Sequence, residues 1–403
     1  MSMPTPRPEN TSPTGTNPKR RAATPQLSPQ RVHELVSELL GADVHATRVL
    51  SFARGVVGVL HAAALSVHAI GQGLASAMGL DPKHATKQVD RLLSNSGVTV
   101  WAWFAQWVTF VVAARQELLV ALDWTEFDKD DHATIALYLI TSHGRATPLV
   151  WKTVRKSELK HRRADYEWEV IARLHEILPE ALDVTLLADR GFGDQKFFLD
   201  LETLGWGYVI RFRENIQLTH GARTLLARDW VPVRGHAKML REVKITAHQT
   251  LIPAVVLKHQ KGMKQAWCIA TNRTDLGAAG IVRLYARRFT IEETFRDIKD
   301  NHFGMGLSAT HIASPERRDR LLLLSAVAQA LLTLLGAAGE ACGLDRTLKV
   351  NTVKTRTMSL FNQGCYWYRA IPNMREDQLV LLMTTFGEVV DSHAAFRELF
   401  GII

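Results

Sequence analysis

The sequence predicts an α/β core with helical regions on either side of it, and three observations carry the prediction. Short apolar runs between residues 118 and 271 follow the order strand-strand-strand-helix-strand-helix-strand. From about Gln30 to Gln116 the pattern is helical, without a convincing strand. Beyond Glu292 the chain reads as helical to its end, broken by a loop near Asn362–Asn373. At 403 residues the chain is long enough for two or three domains, and 46% hydrophobic with 22% charged residues is a globular composition. The formal net charge of +9 favours a polyanionic partner.

Residues 1–30 are rich in Pro, Thr, Ser and Asn and carry the basic cluster Lys19-Arg20-Arg21. Such a segment buries too little apolar surface to order itself, so a disordered basic tail is expected there. A helical domain is expected over 31–116. Within it, the small-residue stretch Ile70–Leu80 precedes Asp81-Pro82 and the basic stretch Lys83–Leu93. Asp81 is a candidate N-cap with Pro82 at the first helical position. The pair reads either as a DNA-contacting helix-turn-helix or as an ordinary helical hairpin.

Leu118–Asp123, Ala133–Thr141 and Pro148–Val154 suggest a three-stranded meander. Trp151–Arg163 then carries Lys152, Arg155, Lys156, Lys160, Arg162 and Arg163 against a single Glu158, which suits a solvated face or a phosphate-backbone track. A helix near Ala164–Leu178, a strand ending at Asp189, a helix near Gln195–Leu204 and a strand over Gly207–Arg213 follow. Residues 214–265 differ in texture. Val231-Pro232-Val233, Met239–Thr246 and Leu251–Leu257 are short and β-like, which marks a β-rich insertion before Trp267–Thr271 resumes the sheet. The core thus spans 117–213 and 266–340, with a helical C-terminal region over 341–403. Leu321–Ala338 is long enough to span a membrane, but Ser325, Gln329 and Thr333 interrupt it and Arg317, Arg318 and Arg320 abut it, so a buried core helix is expected and no membrane partner.

Asp123 and Asp189 each follow an apolar run, which places both carboxylates at a sheet's rim. Glu126, Asp128, Asp130, Asp131 and Asp183 lie nearby, in polar connections where acids are commonplace. A third acidic position lies in Tyr285-x2-Arg288-x3-Glu292-x6-Lys299. One continuous helix would bring Tyr285, Arg288, Glu292, Arg296 and Lys299 within a band of roughly 80°. Thr290-Ile291-Glu292-Glu293 also scans as a capping box that would start a new helix at Thr290, and Glu293 is chemically equivalent to Glu292. Three converging carboxylates repel one another unless a divalent cation neutralises them, and oxygen donors suit Mg²⁺ or Mn²⁺. Beside a basic and aromatic row, the natural substrate is a phosphodiester.

Other chemistries find little support. The phosphate-binding GxxxxGK[ST] loop is missing, as are HExxH and GxSxG, and the sixteen histidines are scattered. The three cysteines, Cys268, Cys342 and Cys365, form no metal-ligand pattern and suit a reducing compartment. The N-terminus lacks the apolar stretch of a signal peptide, so a cytoplasmic location is expected.

At these positions the chain resembles the DDE transposases of bacterial insertion sequences that carry the YREK signature. Tyr285, Arg288, Glu292 and Lys299 match that spacing in full. Leu187-Ala188-Asp189-Arg190-Gly191-Phe192-Gly193 is similar to the family's block around the second Asp, and Leu122-Asp123-Trp124-Thr125 to the first. The motifs span roughly residues 118–300. The resemblance implies an RNase H-like mixed sheet flanked by helices, interrupted before the last acid by the β-rich insertion. It further implies a cut-and-paste transposase in which Asp123, Asp189 and Glu292 hold two Mg²⁺ or Mn²⁺ ions. Tyr285, Arg288 and Lys299 would bind DNA, with double-stranded element ends and target DNA as partners, a hairpin intermediate and a homodimer in the DNA complex. Two alternatives are a catalytically inactive DNA-binding derivative and an RNase H-like nuclease without strand transfer.

Overall fold

The computed structural model describes residues 27–391 except 42, 43, 114, 142, 234 and 301–303. The cluster Lys19-Arg20-Arg21, and most of the tail expected over residues 1–30, lie outside the described residues. Five helices come first: α1 (Pro29–Leu40), α2 (Ala46–Ala62), α3 (Val67–Met78), α4 (Pro82–Ser94) and α5 (Val100–Val112). Helix α1 starts two residues ahead of the expected boundary because Ser28 caps it, accepting a hydrogen bond from the Arg31 N–H, with Pro29 opening the first turn. Leu27 just before it is buried. Asp81 caps α4 as expected, accepting from the His84 N–H at 2.9 Å. The apolar side of α4 (Ala85, Val89, Leu92, Leu93) is buried, and Lys83, His84, Lys87 and Arg91 are exposed.

Ten strands form one mixed sheet. In chain order they are β1 (Glu117–Phe127), β2 (His132–Ile140), β3 (Ala146–Arg155), β4 (Asp183–Ala188), β5 (Gly207–Phe212), β6 (Gln217–His220), β7 (Arg223–Leu226), β8 (Lys238–Ile245), β9 (Thr250–Lys258) and β10 (Trp267–Thr271). Their spatial order is β3-β2-β1-β4-β5-β10-β9-β8-β6-β7, with parallel pairing only at β1–β4 and β4–β5. Strands buried on both faces, such as the fully buried β2, explain the continuous apolar runs. Helices α6 (Arg163–Ile177) and α7 (Gln195–Thr203) make the connections around β4.

The insertion is β-rich as expected, but it is no separate layer. Strand β9 pairs with β10, so β6–β9 prolong the core sheet itself. Val231–Val233 is not a strand; it follows a 3-10 turn over Ala227–Trp230, and Pro232 has no N–H to give a ladder. The basic stretch 151–163 is likewise only partly free: Lys152 pairs with Glu169, and Lys156 with Glu126 and Asp128.

The edge strand β3 is closed by side chains. Trp107 on α5 donates to the Pro148 carbonyl at 2.8 Å. The Thr153 N–H donates to Asp319 at 3.0 Å. The Ala146 N–H donates to Thr294 Oγ1 at 2.8 Å. Pairing with another chain is thereby blocked. Helix α10 (Pro315–Ala341) is long and apolar enough to cross a membrane, and 83% of its apolar window is buried inside the protein. It lies against α11 (Leu360–Ala370), where a Cβ on Gly364 would stand 1.8 Å from the Leu332 carbonyl oxygen, so only glycine permits that backbone contact. Helix α12 (Glu376–Asp391) packs on α10 as well.

Candidate active site

The two aspartates stand side by side. Leu122 pairs with Ala188 in the parallel register of β1 and β4, so Asp123 and Asp189 are the next residues on adjacent strands. Asp123 does not end its strand, contrary to the sequence expectation. Strand β1 leaves β4 there but continues to Phe127 along β2, with Asp123 opposite Ala136. One carboxylate oxygen of Asp123 accepts from the Trp124 N–H at 2.9 Å. Asp189 directly follows the last residue of β4, and its Oδ1 accepts from the Gly191 N–H at 2.7 Å, closing a 3-10 turn over Arg190–Phe192. That turn is held on β5 at Gly193, where a Cβ would meet Phe212 at 2.8 Å.

The third carboxylate arrives from above the sheet. Helix α8 (Ala278–Ala286), a 3-10 turn (Arg287–Phe289) and α9 (Thr290–Lys299) follow one another without leaving right-handed helical backbone, Phe289 having φ −61° and ψ −14°. The path from Tyr285 to Lys299 is therefore continuous, with one tightened turn. The capping box does not form: Thr290 Oγ1 donates to the Arg287 carbonyl at 2.7 Å instead. Helix α9 is clamped to the sheet by Thr294 on Ala146, by the Arg145–Asp297 ion pair, and by Phe295 edge-on to Tyr138 at 5.4 Å.

Arg288 joins the two elements. Its Nη1 donates to Asp123 Oδ2 at 3.1 Å and its Nη2 to Glu292 Oε1 at 3.0 Å, while the side chain is only 8% exposed. Its Nε is buried and has no partner among the described residues. Burial pushes the Asp123 carboxyl up to about 6; Arg288 opposes the rise, and the charges of Asp189 and Glu292 add to it. Burial also works against the charge on Arg288, yet Tyr285 and the three acids hold its pKa above the ordinary value. Glu293 turns away to pair with Arg296 at 2.9 Å, so the geometry distinguishes two acids that the sequence leaves equal.

Tyr285 lies beneath the surface, edge-on to Trp267 at 4.9 Å; burial raises its pKa and the charge of Arg288 opposes the rise. It supports the guanidinium and presents no open face. Lys299 points to the far half of β1, donating to Thr125 Oγ1 and the Glu126 carbonyl at 3.0 Å each, with its ammonium 4.9 Å from the centre of the Phe127 ring. Burial lowers its pKa. The other acids are engaged elsewhere: Glu126 and Asp128 with Lys156, Asp130 with Arg318, Asp131 with Ser157, and Asp183 with Arg273.

Two features escape the sequence. Glu167, on the first turns of α6, accepts the Trp124 indole N–H at 2.7 Å, and Arg163 lies over the same indole at 4.9 Å. Burial raises the Glu167 pKa, Trp124 and Arg163 oppose the rise, and the charge of Asp189 adds to it. Trp124 follows Asp123 and so faces the other side of the sheet, which puts Glu167 opposite α9. Second, Arg190, Arg211, Arg213 and Arg228 line a groove next to Asp189. Arg211 and Arg213 sit at and just past the end of β5, while Arg190 and Arg228 come from two 3-10 turns elsewhere in the chain, so no local run of charge announces the four together.

Among the described residues no group of three His, Cys, Asp or Glu side chains is assembled closely enough to grip a metal ion. The donor set at the Asp123–Asp189–Glu292 cluster nevertheless fits a hard divalent cation: all its atoms are carboxylate oxygens, and a cationic group already bridges two of them. Residues 166–331 match the family model described as Transposase DDE domain, a segment that includes Asp189 and the whole Tyr285–Lys299 row but not Asp123. This match supports a DDE transposase. No match to a characterised protein was found.

Proposed function

We propose that this chain is a cut-and-paste DDE transposase of the insertion-sequence type bearing the YREK signature, with Asp123, Asp189 and Glu292 as its catalytic carboxylates. The observation that carries this reading is the register of β1 and β4, which puts two aspartates next to each other, with the shared Arg288 drawing Glu292 to the first. Asp123, Asp189 and Glu292 would hold two Mg²⁺ or Mn²⁺ ions. When bound, such ions lower the pKa of an attacking water or hydroxyl and stabilise the leaving oxygen.

The chain's own residues hold the reacting groups. The Trp124 and Gly191 N–H groups each fix one carboxylate oxygen, leaving the second oxygen of each aspartate to turn towards the cluster. Arg288 binds phosphate oxygens beside the scissile bond, Tyr285 braces Arg288 from below, and Lys299 grips the strand on the far side of Thr125. Arg190, Arg211, Arg213 and Arg228 offer phosphate contacts beside Asp189. The exposed face of α4 adds a backbone contact for double-stranded DNA. Hydrolysis of one strand frees a 3′-hydroxyl at the element end. Its attack on the opposite strand closes a hairpin, and after a second hydrolysis the same hydroxyl attacks target DNA. Each joining step forms one phosphodiester as another breaks, so no nucleotide triphosphate is consumed. Pairing of two ends implies a homodimer on DNA, in the bacterial cytoplasm with the nucleoid.

The test is a cleavage and strand-transfer assay on end DNA in Mg²⁺ or Mn²⁺. Asp123→Asn, Asp189→Asn and Glu292→Gln should each abolish cleavage while DNA binding survives, with Glu293→Gln active as a control. Wild-type binding without cleavage would instead identify an inactive derivative, and cleavage without joining a nuclease.

A further inference from the structure

We infer that Arg288 is the resident cation of the carboxylate cluster, and that it exchanges partners when metal and DNA enter, coupling the two binding events. The inference rests on the reading of Asp123 and Glu292 as metal ligands.

The guanidinium spans two acids that lie 169 residues apart in the chain, one nitrogen on each, at 3.1 and 3.0 Å. It is almost wholly buried between them. Partly desolvated carboxylates that repel one another need a positive charge among them, and here the chain supplies its own. The consequence is competition. Asp123 and Glu292 would have to offer a divalent cation the carboxylates that Arg288 now occupies. Binding of metal therefore has to release Arg288 from both. Once released, a buried guanidinium needs new acceptors, and its planar fork matches two phosphate oxygens. The Nε that lacks a partner here offers a third donor for them.

DNA at the site and metal in the cluster are thus the two halves of one exchange. The carboxylates trade a guanidinium for a divalent cation, and the guanidinium trades carboxylates for a phosphodiester. Each ligand removes a cost that the other would otherwise meet, so each raises the affinity for the other by the same factor. Metal binding to the DNA-free protein is held down until an end arrives.

The experiment measures Mn²⁺ binding to the full chain by electron paramagnetic resonance of free Mn²⁺, with and without a short duplex of arbitrary sequence. Wild type should bind Mn²⁺ more tightly when the duplex is present. Arg288→Gln should bind Mn²⁺ about tenfold more tightly than wild type without DNA, and should lose the enhancement by the duplex. Arg288→Lys keeps a charge but cannot bridge both carboxylates, so its affinity should fall between the two; it carries the comparison if the glutamine variant does not fold. Equal or weaker Mn²⁺ binding in these variants overturns the inference. Asp123→Asn separates this from the underlying reading: Mn²⁺ binding that survives there removes the carboxylate as a ligand and overturns both. Loss of binding in Asp123→Asn with unchanged affinity in the Arg288 variants overturns the exchange alone.

Discussion

The indole N–H of Trp124 donates to Oε1 of Glu167 at 2.7 Å, tying the residue after Asp123 to α6 across the sheet from α9. Strand β1 is thereby held from both sides at successive residues: Arg288 on Asp123, Glu167 on Trp124 and Lys299 on Thr125. Carboxylates needed in one place to within a fraction of an ångström gain from such fixing.

Glu167→Ala should therefore reduce DNA-end cleavage about tenfold through misplacement of Asp123, by the sensitivity of reaction to positioning. It should also lower stability by about 1.5 kcal/mol, the scale of a hydrogen bond to a charged group. Glu167→Gln keeps an acceptor for the indole and should retain most of both. The comparison of single-turnover cleavage rates and melting curves for the two variants checks this, and equal loss in both would point to the charge of Glu167 rather than to its hydrogen bond.

Lys299→Met preserves the apolar stem over Phe127 and removes the donors to Thr125 and Glu126. A loss of about 1 kcal/mol is expected from the two hydrogen bonds. If the ammonium also meets a phosphate, the log–log salt slope of DNA binding should flatten by about one unit. Titration of DNA affinity against salt, beside a melting curve, reads the two effects separately.

A pH-dependent stability is expected from Asp319. Burial pushes its carboxyl up to about 7, from the ordinary 3.8 of an aspartate. The folded chain then holds a proton that the unfolded chain has released, so stability falls as pH rises between about 4 and 7 and is flat on either side. Asp319→Asn can still accept from the Thr153 N–H and carries no charge to desolvate. Its melting temperature should equal or exceed that of the wild type at pH 8, with a shallower slope between pH 4 and 7. An unchanged slope would assign the pH dependence to other groups.

Truncation separates the N-terminal tail from the helical domain. Removal of residues 1–26, whose composition offers no core, should leave the melting temperature unchanged. Removal through residue 30 takes away buried Leu27, the Ser28 cap and Pro29, and should cost about 2 kcal/mol or more. Thermal melts of the two truncated proteins make the comparison directly.

Where local pattern decides conformation, the sequence is a good guide. Strand β10 runs over Trp267–Thr271 as read, β8 and β9 lie within a residue or two of expectation, and Asp81-Pro82 opens α4. These elements depend on apolar spacing or on a cap a few residues away. The features that escape depend on partners far along the chain. Asp123 sits inside a longer strand because β2 continues to pair with β1, which the apolar run cannot reveal. Thr290 gives its hydroxyl to the preceding turn because the helix arrives already wound, so the capping box has no end to cap. Glu167 looks like any acid on an amphipathic helix until the fold brings Trp124 to it from 43 residues away. Glu292 and Glu293 are chemically equal neighbours in the sequence, and the fold separates them by pairing the first with Arg288 and the second with Arg296.

The unbroken passage of the core sheet into the insertion gives the molecule a ruler. Along the order β4-β5-β10-β9-β8-β6-β7, six hydrogen-bonded steps separate the strand that precedes Asp189 from the outermost strand. At roughly 4.8 Å per step this fixes a span of about 29 Å, close to the rise of nine base pairs. A duplex laid across the rim would thus meet β7 at a distance set by strand count, not by loop length. Lengthening the turns between the strands leaves that distance alone, whereas deleting the β6–β7 hairpin shortens it by about 10 Å.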